Sequence, residues 1–553
     1  MKSITVLILF VYSFISCQNN KNISLNKKQS DHIQLEQTNN IYFAKNKAKI
    51  KGSNTPEFSK HFNLNEDKHL SIHFTLDKPL VHSLQLLAPK LSEDELLNNG
   101  NFQFSFLVDN EIVYVENLNT GAGLKSAKKT QLEYSLPLIS PERIDHWGWY
   151  LWLKFMKMSG GRDKLDKGKH VLSIEIRTYL NNEELHVGKL LAKGNLDINV
   201  KELPFDQNAV ALQTIAVNSG WDISKDHFNH SKIEALNKKI AQKRFENING
   251  IVVIKEGELL IEEYFNGETR GSLHDSRSVG KSIASTMMGI AIEENYIKNE
   301  EQQLKEFYKL ESYKNYEPAK DLITLKSLLT MSSGFLGDDT DMSNPGNEEY
   351  MYPTGDWVKF ALDQPIEKDK IMEKDYTYFT AGVVVLGDII HKSVPNGLVS
   401  YADKKLFAPL NITNYKWQYT PQNVGNTAGG IRLRAIDFAK YGQLYKNNGK
   451  WNDKQIISKK WVEKSLAKQV SQAYTGIKNG YYGYLFWNKT YTIDGKDYEV
   501  SFCTGNGGNK IFIFKDIPFV IVITASAYNM PYAHSNVDKM MIDYILPAIL
   551  DKK

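Results

Sequence analysis

The sequence predicts a multidomain chain in which an N-terminal all-β sandwich precedes an α+β domain. Two observations carry that expectation. From about Ile41 to Leu203 apolar and polar residues alternate, as in Ser71-Ile72-His73-Phe74-Thr75-Leu76, Phe102-Gln103-Phe104-Ser105-Phe106 and His170-Val171-Leu172-Ser173-Ile174-Glu175-Ile176. That period of two is the signature of strands with one buried face. From Lys232 onward helical and strand patterns interleave and the chain finishes on strand-like runs, so a sheet drawn from both ends of the region would pack against helices. A length of 553 residues excludes a single small module, and 42% hydrophobic with 24% charged residues excludes bulk disorder.

Taken in order, the chain opens with Lys2 and a largely apolar run from Ile4 to Ile15. As a helix that run would span ~18 Å, short of the ~30 Å hydrocarbon core, so residues 1–17 read as an export signal rather than a spanning helix. Phe14-Ile15-Ser16-Cys17 resembles the lipobox of bacterial lipoproteins, which implies lipidation at Cys17 and a chain anchored by lipid at the cell envelope; a plain secretory signal with an incidental cysteine is the alternative. Residues 18–40 are rich in Asn, Lys, Gln and Ser and read as a flexible tether. The sandwich occupies 41–203, with a hairpin turn at Asp109-Asn110. Its cluster His146-Trp147-Gly148-Trp149-Tyr150-Leu151-Trp152 fits either a carbohydrate-stacking platform, giving the domain a glycan contact, or the commoner fate of core or domain interface. A polar stretch, 204–231, reads as a linker. In 232–553 the patterns give a helix from Ile233 to Phe245 and a hairpin from Ile251 to Tyr264 turning at Glu256-Gly257. Further helices are expected at Ser282 to Glu294, Thr324 to Met331, Val383 to His391 and Ala435 to Tyr445, and strands at Tyr484 to Trp487, Ile511 to Phe514 and Phe519 to Thr524.

Charge and cysteine usage narrow the chemistry. Sixty-eight basic against 64 acidic residues leave +4, too little to favour a nucleic-acid partner. Two cysteines, Cys17 and Cys503, allow no disulfide framework, and no CxxC or Cys/His cluster points to zinc, so neither metal nor cofactor is expected. Cys503 reads as a small buried hydrophobe rather than a nucleophile.

One motif carries reactive chemistry. Ser278-Val279-Gly280-Lys281 is an SxxK tetrad. The same spacing recurs at Ser24/Lys27, Ser126/Lys129 and Ser465/Lys468, but only Lys281 is followed by a run, Ser282 to Ile292, that is apolar or small on nearly every face, as in a helix at a domain centre. Serine in the first turn and lysine three residues on share a face, within hydrogen-bond reach of each other. Burial would favour a neutral amine able to act as a base, and the serine N–H at a helix start would meet a developing oxyanion.

With that tetrad, Ile323-Thr324-Leu325-Lys326-Ser327-Leu328-Leu329-Thr330-Met331-Ser332-Ser333-Gly334 and Gly429-Gly430-Ile431-Arg432-Leu433, followed by Asp437-Phe438-Ala439-Lys440-Tyr441-Gly442, are in the expected order. In these motifs the sequence resembles the serine β-lactamase and penicillin-binding-protein superfamily, in its class C-like branch of serine hydrolases, from about Leu236 to Leu550. The resemblance implies a β-lactamase-like α+β fold and maps the family's Tyr-x-Asn onto Tyr378-Phe379-Thr380, with Tyr378 relaying a proton near Lys281 and Tyr376 as the competing candidate. It maps the third motif onto Asn506-Gly507-Gly508, so that Thr380, Asn506, Gly507 and Gly508 contact substrate and the N–H of Asn509 completes an oxyanion hole with that of Ser278; the N–H of Asn506 is the alternative donor. Thr380 replaces asparagine, and neutral Asn506 replaces the cation that holds a substrate carboxylate in β-lactamases. Both departures favour an ester or amide substrate, small molecule or peptide, over efficient β-lactam hydrolysis, in the manner of esterases, amidases and D-aminopeptidases. The rival readings are a catalytically idle relative serving as a binding or structural module, and a glycan-binding lipoprotein.

Overall fold

A computed structural model describes residues 39–45, 57–141, 147–182, 184–217, 219–472 and 480–551. The signal segment 1–17 with Cys17, nearly all of the expected tether, and His146 lie outside the described residues. Two compact units divide between Phe205 and Asp206.

The N-terminal unit is β-rich, with two sheets around one core. A six-stranded sheet is built on the long antiparallel pair Gly168–Asn182 and Glu184–Val200 and extends through Gly100–Val108 to Glu111–Asn117. A three-stranded sheet joins Tyr42–Ala44, Leu70–Thr75 and Glu133–Ile139. The alternating Phe102, Phe104 and Phe106 supply much of the apolar core. Asn39 and Asn40, expected as the end of the tether, pair with Ala192 and Lys193 in a strand. The unit also holds helices that an all-β expectation omits. The aromatic cluster forms one of them, Trp147–Met158, which buries Leu151, Trp152, Phe155 and Met156 and stacks Phe155 on Phe106 at 5.0 Å. Apolar residues spaced three and four apart, rather than alternating, make that segment a core helix.

The C-terminal unit is α+β. In chain order its elements include α1 (His230–Ala241), β1 (Ile248–Lys255), β2 (Glu258–Tyr264), β3 (His274–Asp275), α2 (Lys281–Glu293), α3 (Leu325–Leu329), α4 (Thr380–Ser393), β4 (Lys416–Trp417), β5 (Ile431–Leu433), α5 (Ala435–Lys446), β6 (Val470–Ser471), β7 (Tyr481–Tyr482), β8 (Trp487–Ile493), β9 (Lys496–Gly505), β10 (Asn509–Phe514), β11 (Phe519–Ala525) and α6 (Ala533–Met540). An eight-stranded sheet runs β2-β1-β11-β10-β9-β8-β7-β6, bringing the two ends of the region together. Its faces are sorted by period two. Val252, Ile254, Val520 and Val522 join the core that contains α2, α4 and α5, whereas Ile251, Val253, Ile521 and Ile523 join the core that contains α1 and α6. Burial on both faces explains why β11 reads Phe-Val-Ile-Val-Ile-Thr-Ala with no polar alternation.

The stretch 204–231, expected as a linker, largely belongs to this unit. The Ser224 N–H donates to Leu259 O at 2.9 Å, the Leu259 N–H to Asp222 O at 2.8 Å, and Trp221 enters the core. The Gln213 side chain exchanges two hydrogen bonds with the Tyr264 backbone. Its polar residues thus cover the free edge of β2, which would otherwise present unpaired backbone groups.

Candidate active site

Ser278 lies in the single turn Arg277–Gly280 that leads into α2. Helix α2 is buried along its length because its side chains are apolar or small, and its polar groups are satisfied internally. Ser282 Oγ donates to Leu485 O at 2.6 Å, and Thr286 Oγ1 lies 2.8 Å from both the Tyr441 and Tyr445 hydroxyls. One turn along from Ser278, Lys281 is 1% exposed. Its Nζ donates to Ser278 Oγ at 2.7 Å and to Ala428 O at 2.7 Å. These two bonds fix the amine between the nucleophile candidate and the loop that precedes β5.

Tyr378 approaches from the turn before α4, its ring centroid 5.3 Å from Lys281 Nζ and 5.8 Å from the Trp487 ring. Burial holds its phenol above the ordinary value; the Lys281 charge and a hydrogen bond with Ser278 pull it back, while Glu348 and Asp339 push it further up. Desolvation thus outweighs the neighbouring cation. Tyr376 instead packs against Tyr482 at 5.2 Å and Trp487 at 5.9 Å as a wall of this aromatic group. Of the two tyrosines, only Tyr378 reaches Ser278 and Lys281.

Two glycines press closely on the Ser278 turn. A Cβ on Gly429 would fall 3.0 Å from Ser278 N and 2.3 Å from Arg277 O, and one on Gly505 would fall 3.1 Å from Ser278 N and 2.4 Å from Ser276 O. The strand against the Ser278 N–H is therefore β9 at Gly505, which corrects the expected register. Asn509 begins the next strand, pairs across the hairpin with Gly505, and is buried with Oδ1 accepting the Ala525 N–H at 3.0 Å and Nδ2 donating to Asn506 O at 3.1 Å. The residue that follows Gly505 is Asn506, so the alternative donor is the one the geometry favours.

The remaining expected contacts also shift. Thr380 is 0% exposed and presents no surface to a substrate; its N–H donates to Asp339 Oδ2 at 2.7 Å. Asn506 is exposed, but its amide is tied to Asn529 by bonds of 2.6 and 2.9 Å. Gly507 and Gly508, at φ 90° and 99°, make the β9–β10 turn; Gly508 faces Ala533 and Val537 on α6, away from Ser278. Cys503 is 1% exposed, and burial pushes its thiol up to about 12, so it is an inert core residue.

Asp339 was not foreseen. Its N–H donates to Tyr378 O at 2.9 Å, its Oδ2 accepts the Thr380 N–H, and its Oδ1 accepts the Glu348 N–H at 2.7 Å. One residue thus clamps both ends of the Tyr378–Thr380 turn. Burial and the Glu348 charge raise its carboxyl well above the usual range, against the pull of the Thr380 N–H and Lys281. An isolated aspartate in a loop has no spacing signal; only the fold brings it to the tyrosine. Among the described residues no group of three His, Cys, Asp or Glu side chains could hold a metal ion, and no helix is long and apolar enough to cross a membrane.

Residues 237–539, more than half of the chain, match the family described as Beta-lactamase. The chain belongs to the Beta-lactamase family, whose members are serine hydrolases. No curated protein matches it. Similar solved structures include the octameric penicillin-binding protein homologue from Pyrococcus abyssi, with 18% identity, 56% of this chain and 76% of that chain covered, and a TM-score of 0.44. The penicillin binding protein from Bacillus halodurans has 13% identity, covers 53% and 96% of the two chains, and gives a TM-score of 0.43. A family VIII carboxylesterase has 12% identity, covers 59% and 98% of the two chains, and gives a TM-score of 0.45.

Proposed function

We propose that this protein is an exported serine hydrolase of the class C-like branch that cleaves an ester or amide bond through an acyl-enzyme on Ser278. The single observation that carries the reading is the 2.7 Å contact between Lys281 Nζ and Ser278 Oγ, with the Tyr378 ring 5.3 Å from the same amine. In the form that has lost one proton, the Lys281–Tyr378 pair takes the Ser278 proton as Oγ attacks the substrate carbonyl. The N–H groups of Ser278 and Asn506 stabilise the tetrahedral oxyanion. Tyr378 returns the proton to the leaving group, and water, deprotonated by the same pair, releases the acyl group. Asp339 acts through the main chain of Tyr378 and Thr380 as a positioning residue.

Export and anchoring rest on Lys2, the apolar run from Ile4 to Ile15 and Cys17. The intact Ser278–Lys281–Tyr378 geometry favours an active enzyme over an idle relative. A fluorophosphonate probe tests this: the reading expects covalent labelling of Ser278 that Ser278→Ala abolishes, and a folded protein that resists labelling contradicts it.

A further inference from the structure

Arg277, directly before Ser278, has φ 47°, a left-handed conformation that residues with side chains seldom adopt. Its neighbours explain this. The backbone of Gly429 packs on Arg277 O, and a Cβ on Gly505 would lie 3.0 Å from Arg277 Cβ, so the pinched turn turns the side chain outward. Arg277 is exposed, with its guanidinium 4.4 Å from the centroid of the Tyr528 ring. Tyr528 in turn leans on Gly507, where a Cβ would meet its Cδ1 at 2.7 Å. The reciprocal Asn506–Asn529 bonds tie the Tyr528 loop to the same β9–β10 turn. Stacking therefore holds a cation beside the strand that carries Gly505 and Asn506, one residue from Ser278.

That cation has donors to offer. Asp275 Oδ2 is 3.7 Å from Arg277 Nε and 4.0 Å from Arg432 Nε, too far for a hydrogen bond to either, so one carboxylate faces two guanidinium groups. Its Oδ1 instead accepts the Arg277 main-chain N–H at 3.1 Å. Glu349, itself exposed, also feels the Arg277 charge. Beyond its bond to the Tyr528 hydroxyl, the stacked guanidinium keeps N–H donors that match the planar fork of a carboxylate.

We propose that Arg277 makes this site selective for esters or amides that carry a carboxylate, gripped on the Tyr528 side while Ser278 attacks the carbonyl. The proposal rests on Ser278 being the nucleophile. Two substrate pairs place the charge on either side of the scissile bond: p-nitrophenyl butyrate against p-nitrophenyl hemisuccinate, and phenyl acetate against 3-acetoxybenzoate. In the native enzyme the anionic member of at least one pair has the higher kcat/KM, and Arg277→Gln lowers the anionic-to-neutral ratio by about tenfold or more. Arg277→Lys, which keeps the charge and loses the fork, gives an intermediate ratio. Fluorophosphonate labelling of native and variant proteins separates the two failures. Labelling of both with no change in the ratio, or equal losses on both members, overturns the Arg277 proposal alone; a native protein that does not label overturns the nucleophile and the proposal with it.

Discussion

Adding one methyl group at Gly505 tests whether β9 and the Ser278 turn meet as described. The new Cβ would lie 2.4 Å from Ser276 O, 3.0 Å from Arg277 Cβ and 3.1 Å from Ser278 N. Ordinary carbon contacts lie near 3.5 Å, so the strand and the turn must separate by about 1 Å. Both sides are main chain and held in place, β9 by its sheet neighbours and the turn by the Ser276 N–H to Ile431 O bond of 2.9 Å. Overpacking of this kind costs about 1–3 kcal/mol of stability. The catalytic cost is larger in proportion, because a 1 Å error in the oxyanion donors lowers the rate on the order of 10²-fold. Gly505→Ala should therefore lose about 10²-fold in kcat for p-nitrophenyl butyrate while still melting cooperatively. Gly355→Ala, at a position with nothing within 4 Å of the added Cβ, is the control and should change neither quantity. Gly505→Ala enzyme within about threefold of native kcat and with native melting would refute the juxtaposition of β9 with Ser278.

Further outcomes follow from the same geometry. Tyr378→Phe should lower kcat by about 10²–10⁴-fold, the range of a lost general acid–base, while Tyr376→Phe, which removes a hydroxyl from the aromatic wall, should stay within about tenfold of native in the same assay. Asp339→Asn leaves one amide N–H facing a main-chain donor, either Thr380 or Glu348, and should cost about 1–3 kcal/mol in urea unfolding as well as slowing fluorophosphonate labelling. Burial raises the Glu263 carboxyl to about 7. Because the folded state holds that proton more tightly than the unfolded state, its contribution is full below the ordinary carboxylate range and is lost as pH rises through about 7. Glu263→Gln should flatten that fall, by up to about 3 kcal/mol, in unfolding curves measured between pH 5 and 8.

The sequence was most legible where chemistry and periodicity coincide. Ser278 and Lys281 stand three apart where a turn leads into a helix of apolar or small residues, so a local pattern suffices to find them, whereas Tyr378 is reached only through the family resemblance. The third motif was harder, since Thr504-Gly505-Asn506-Gly507-Gly508-Asn509 offers several glycine registers and only the approach of Gly505 to Ser278 N selects one. Asp339 and Arg277 carry no motif; their roles depend on contacts made across the fold by Thr380, Glu348 and Tyr528. The polar composition of 206–231 hid an edge-covering segment because its bonds to β2 each use the main chain on at least one side, which no side-chain pattern reports. In the N-terminal unit alternation marked the strands, but the crowding of aromatics at Trp147–Trp152 masked a helical spacing that continues to Phe155 and Met156.

The most direct test is rapid-quench mass spectrometry of the full chain during turnover of p-nitrophenyl butyrate. A butyryl adduct on Ser278 that forms as the first equivalent of p-nitrophenol appears, and that is absent in Ser278→Ala and delayed in Lys281→Met, is the predicted result. Turnover that persists in Ser278→Ala, or an adduct on any other residue, contradicts the account.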